Sequence, residues 1–72
     1  MTTANALLER CSELLANGES FPTMWETVLR AHPLVREIPV QGRRDEQPVL
    51  RVALYSGQTL VFIPSRRSVM LE

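Results

Sequence analysis

The chain has 72 residues, with eight arginines, no lysine, eight acidic residues and a formal net charge of zero, and it carries one cysteine and one histidine. A single cysteine excludes a disulfide framework, and Cys11 with His32 cannot supply a four-ligand zinc site. A neutral chain has no overall field to draw in nucleic acid or an anionic membrane, so an electrostatic function has to come from local clustering.

One small domain spanning residues 1–72 is expected. A chain of this length buries only about 60% of its unfolded surface, so its core supplies a net stability of about 3–5 kcal/mol. Without a disulfide or a metal site, oligomerisation or partner binding remains the way to gain more. No apolar run approaches the roughly 20 residues that span a bilayer. The start, MTTANALLERC, lacks a basic segment followed by an apolar one, and the chain is read as cytoplasmic. Arginine as the only strong base, with many Ala, Val, Leu and Pro, fits a GC-rich genome and says nothing of function.

Thr3 can cap a helix in which Ala4, Leu7, Leu8, Cys11, Leu14 and Leu15 recur on one face, and Asn17-Gly18 supplies a left-handed stop. Cys11 belongs to that apolar stripe, which favours a small buried hydrophobe over a reactive thiol. After the linker Glu19 to Pro22, Thr23 and Glu26 fit a capping box for a second helix with Met24, Trp25, Val28 and Leu29 on its apolar face. Pro33 ends it and leaves His32 at its C-terminus, a position that the helix dipole explains without a catalytic role.

Leu34 to Val40 reads as a strand whose Pro39 confines it to an edge or makes it irregular, and GRRDEQ from Gly42 to Gln47 reads as a charged turn. The densest apolar stretch is Pro48 to Pro64. There Val49 to Tyr55 and Gln58 to Ile63 flank Ser56-Gly57, which predicts a hairpin with a two-residue turn. That turn sets Leu54 opposite Thr59 and Val52 opposite Val61. It puts Leu50, Val52, Leu54, Val61 and Ile63 on an aliphatic core face, and Val49, Arg51, Ala53, Tyr55, Leu60 and Phe62 on the other. Ser65 to Ser68 is a polar turn, and Val69 to Leu71 is long enough for a last strand. The expected fold is α+β: two N-terminal helices packed on one face of a three- to four-stranded antiparallel meander.

Catalysis needs a nucleophile or base with a partner beside a pocket. The sequence offers Cys11 in a helix stripe, His32 at a helix end and carboxylates on turns and outer faces, without a phosphate loop, metal spacing or nucleophile elbow. The chain is therefore expected not to be an enzyme and to need no cofactor. In a meander, alternate turns share an end, so Arg43 and Arg44 should neighbour Arg66 and Arg67 in a cationic rim suited to phosphates or carboxylates.

Two functions follow. The first is a protein–protein interaction module binding through Arg51, Tyr55, Leu60 and Phe62 together with the rim residues Arg43, Arg44, Arg66 and Arg67. A phage or mobile-element inhibitor, an antitoxin-like binder or an accessory subunit would suit a chain of this size, and a homo-oligomer is a further expectation. The alternative is a nucleic-acid binder that grips phosphates with the rim and stacks bases on Tyr55 or Phe62. Zero net charge weighs against it, because affinity there comes chiefly from neutralised phosphates.

Overall fold

The computed structural model describes residues 3–72. It is an α+β fold of two helical segments, the second short, followed by a four-stranded antiparallel sheet in the order β1-β2-β3-β4. Helix α1 (Ala4–Ala16) starts where the Thr3 hydroxyl accepts the Ala6 N–H at 3.1 Å. It ends where Glu19 N–H reaches the Leu14 carbonyl and Gly18 N–H the Leu15 carbonyl, with Gly18 at φ 92°. This pair of bonds satisfies carbonyls that the helix cannot.

Helix α2 (Phe21–Met24) begins earlier than the Thr23/Glu26 pattern suggests, because Ser20 is its cap and the Ser20 hydroxyl accepts from Thr23 N–H. Pro22 fits there since a first-turn residue needs no N–H bond. From Trp25 to Leu29 the helix widens into a π turn, closed by Arg30 N–H on the Trp25 carbonyl at 2.8 Å. The extra residue has a use. Met24 and Leu29 are five apart, which an α-helix of about 3.6 residues per turn would place on separate faces. Here both are fully buried.

The sheet consists of β1 (Val40–Arg44), β2 (Gln47–Ala53), β3 (Thr59–Ile63) and β4 (Ser68–Leu71). Strand β1 starts six residues after the expected Leu34. Val35 bridges Leu54 and Val40 pairs with Arg51, so residues 36–39 oppose only Val52 and Ala53 and bulge outward around Pro39. Arg43 and Arg44 lie on the strand, and the turn is Asp45-Glu46 alone, both left-handed at φ 52° and 67°. That is the backbone of a tight hairpin turn whose twist matches the strands.

The central hairpin corrects the expected register. Leu54 N–H bonds the Gln58 carbonyl and Gly57 N–H bonds the Leu54 carbonyl, with Gly57 at φ 91°, so the loop is Tyr55-Ser56-Gly57 and has three residues. Val52 therefore pairs with Leu60, Leu50 with Phe62, and Arg51 with Val61. A slip of one residue exchanges the faces of β3. Leu60 and Phe62 turn toward the helices, and Val61 and Ile63 turn away.

One core cluster joins Leu7, Cys11 and Leu15 of α1 with Met24, Leu29, Val52, Leu54, Leu60 and Phe62. Phe21 meets Phe62 edge-on at 4.8 Å between ring centres. The opposite face has its own small cluster of Val49, Val61 and Ile63, with Met70 against it. Right-handed twist brings diagonal corners of the sheet together over this cluster. Arg44, at the end of β1, pairs with Glu72 beyond β4, and its Nη1 lies 3.3 Å from Met70 Sδ. The Arg44 charge stays half-exposed.

Two outcomes test this packing. Phe62→Ala should cost about 3–5 kcal/mol, comparable to the whole net stability of such a domain, and leave the chain unfolded by circular dichroism. Glu46→Gly should raise the unfolding free energy by about 1 kcal/mol, seen as a higher denaturation midpoint, by relieving a left-handed residue that carries a β-carbon.

Candidate functional site

The sequence-derived residues divide sharply. Leu60 and Phe62, expected on a free face, are 0% and 1% exposed in the main core. They are unavailable to a partner, and Phe62 cannot stack on a base. Tyr55 is 70% exposed in the hairpin loop, and Arg51 is exposed on β2.

The first and third turns do share an end of the sheet: Ser65 Oγ bonds Gln47 Oε1 at 3.2 Å, and Arg44 and Arg66 line one pocket of about 170 Å³ with Asp45. The guanidinium groups do not act together. Arg44 is held by Glu72. Arg67, left-handed at φ 50°, donates Nη2 to the Leu15 carbonyl at 2.8 Å and the Glu19 carbonyl at 3.3 Å, at the C-terminal end of α1. A cation there adds a second bond to the Leu15 carbonyl, which already accepts the Gly18 N–H, and answers the helix dipole. Arg43 and Arg66 make no ion pair among the described residues.

The other chemically capable groups are engaged or shielded. Burial pushes the Cys11 thiol up to about 11, with the Arg10 charge pulling the other way, so at neutral pH it stays protonated and unreactive. His32 Nδ1 accepts the Leu34 N–H at 3.1 Å and so shapes the turn after the helix. In the cleft of about 450 Å³ between the π turn and the bulge, both carboxylates are paired: Glu26 with Arg30 at 2.9 Å and Glu37 with Arg36 at 3.6 Å. The groove of about 490 Å³ lined by Gln41, Gly42, Arg43, Pro48 and Leu50 has no acid or base besides Arg43. No three of His, Cys, Asp and Glu among the described residues come together as a metal site requires, and no helix is long and apolar enough to cross a membrane.

What remains is the outer margin of β1. Ile38, Val40 and Tyr55 are the large apolar residues left exposed among the described residues, at 74%, 57% and 70%. Ile38 and Val40 sit along this margin, and Tyr55 lies in the β2–β3 loop at the upstream end of it. Ile38 projects from the bulge, Val40 opens β1, and Tyr55 N–H bonds the Leu34 carbonyl just upstream. Sequence reasoning selected Tyr55 but treated Ile38 and Val40 as ordinary strand residues. Pro39 between them was the available signal, since a proline cannot donate to a ladder and marks an edge strand or a bulge.

The two edges of the sheet differ. Strand β4 is half-buried along its length and packs beside α1. Strand β1 is largely exposed and has no strand on its outer side among the described residues.

Comparison of the chain with protein-family models, with curated proteins and with solved structures returned no match.

Arg67→Ala should lower stability by about 1–3 kcal/mol, the value of a charged hydrogen bond to partly buried carbonyls. Arg66→Ala should leave the denaturation midpoint unchanged. Equal effects of the two would remove the special role given to Arg67.

Proposed function

We propose that the chain is a small non-catalytic interaction module that acts by docking on a larger protein through the β1 margin, as an inhibitor or accessory subunit would. The observation that carries this reading is the exposure of Ile38 and Val40 on the open β1 edge of the sheet, with the exposed Tyr55 in the loop beside Leu34 just upstream. Scattered apolar residues are ordinary on a protein surface, whereas a cluster beside an unpaired strand offers both buried area and backbone hydrogen bonds to a partner. Arg51 and the half-buried Trp25, which lines the cleft with Ile38, add the residue types that dominate interface energies. The paired state of the carboxylates and the raised thiol fit a role without catalysis.

The test is quantitative capture from nuclease-treated lysate with the wild-type protein and with the double variant Ile38→Glu, Val40→Glu. These side chains are already in solvent, so the variant should fold normally. Loss of the captured protein, by about tenfold or more as expected for charges placed in an interface centre, supports the reading. Undiminished capture by the variant, or capture that nuclease abolishes, rejects it.

A further inference from the structure

Building on the edge-docking reading, we propose that the occupant of the β1 edge is an extended acidic segment of a different protein, added as a fifth strand, with Arg51 binding its carboxylate. The argument begins at Gly42. A β-carbon on this residue would lie 3.7 Å from Arg51 Nε and 3.7 Å from Val49 Cγ2. The Arg51 side chain rises from β2, inside the sheet, and lies against β1 at the one residue that has no side chain of its own. Its guanidinium is thereby directed toward the open margin. Among the described residues Arg51 forms no ion pair, and neither does Arg43, whose side chain leaves the other face of the same strand.

Between Val40 and Arg43 the edge thus presents two cations and no anion. The nearest acids are committed or displaced. Glu37 pairs with Arg36, Glu72 with Arg44, and Asp45 and Glu46 stand in the turn beyond the strand. A guanidinium fork matches a carboxylate in a bidentate way, and along a strand it is alternate residues that meet one face. Val40 and Gly42 are two residues apart. A strand laid on β1 would therefore meet them with an apolar residue and an acidic residue in an i, i+2 relation, the first packing on Val40 and the second reaching Arg51.

A second copy of this chain fits less well. Antiparallel pairing of two β1 strands about Gly42 would set both Arg51 guanidinium groups on the same face over adjacent glycines. Like charges facing each other across a strand pair are destabilising. The arginines that discourage self-pairing are the same ones that admit an acidic strand.

The experiment is selection of a displayed library of random decapeptides on the folded protein, followed by NMR titration of the most enriched peptide into the isotope-labelled chain. Enrichment of an acidic residue two positions from an apolar one is expected, with shifts concentrated on the amides of Val40 to Arg44. Arg51→Gln, or an amide in place of the peptide's acid, should weaken binding about tenfold, as for loss of a charge-assisted pair. The variant's spectrum outside β1 serves as the control for folding. No enrichment, enriched peptides without acids, shifts elsewhere, indifference to Arg51→Gln, or protection of the β1 amides by self-association would each overturn the proposal. Should the Ile38 and Val40 variant lose its captured protein while selected peptides lack acids, the edge-docking reading stands and only the acidic strand falls.

Discussion

A single left-handed residue, Gly57, determines which side chains of β3 meet the helices. With φ at 91° it lets the chain turn through Tyr55, Ser56 and Gly57 and re-enter the ladder at Gln58. Leu60 and Phe62 then fall beside Val52 and Leu54 on the helix side. Had the loop one residue fewer, Val61 and Ile63 would face the helices, and the aromatic contact between Phe21 and Phe62 could not form. Both sets are apolar enough to be buried. Alternation alone therefore leaves the register open, and the turn decides it.

The arginines show how one residue type serves several ends in a chain without lysine. Two of the four near the shared end of the sheet are structural: Arg44 ties diagonal corners of the sheet through Glu72, and Arg67 ties the third turn to the end of α1. Each exploits the length of the side chain, which spans a gap that no short residue could. Arg43, Arg51 and Arg66 keep their charges without a carboxylate among the described residues. The feature that separates the groups is whether a carbonyl or a carboxylate lies within reach of the strand or turn that carries them.

Local physics accounts for what could be read from the residues. Thr3 and Asn17-Gly18 bound α1 because capping and left-handed stops are properties of a few adjacent residues. The meander order follows from short connections between successive strands. The face of β3 and the fates of Leu60 and Phe62 were not legible, since Tyr55 looks equally suited to strand and loop. The Asp45-Glu46 turn was hidden for a related reason. Neither residue is glycine, so nothing announced two left-handed positions in succession. The division of the arginine rim was beyond sequence reasoning because the partners of Arg44 and Arg67 lie 28 and 52 residues away. Of the candidate site, Tyr55 and Arg51 were visible, while the exposure of Ile38 and Val40 on the open edge goes with the bulge around Pro39.

The packing of α1 beside β4 has a consequence for synthesis. The helix is complete by residue 16, yet the strand it lies against spans Ser68–Leu71. During translation its apolar stripe of Leu7, Cys11 and Leu15 emerges long before the sheet can cover it, with only Met24 and Leu29 of the next segment following soon after. An isolated helix of 13 residues is marginal in water, so this segment is expected to stay largely unstructured until the meander closes. The helix is thus fully secured only once β4 is in place, and the Arg67 guanidinium, which reaches back to the Leu15 carbonyl, helps to fasten it.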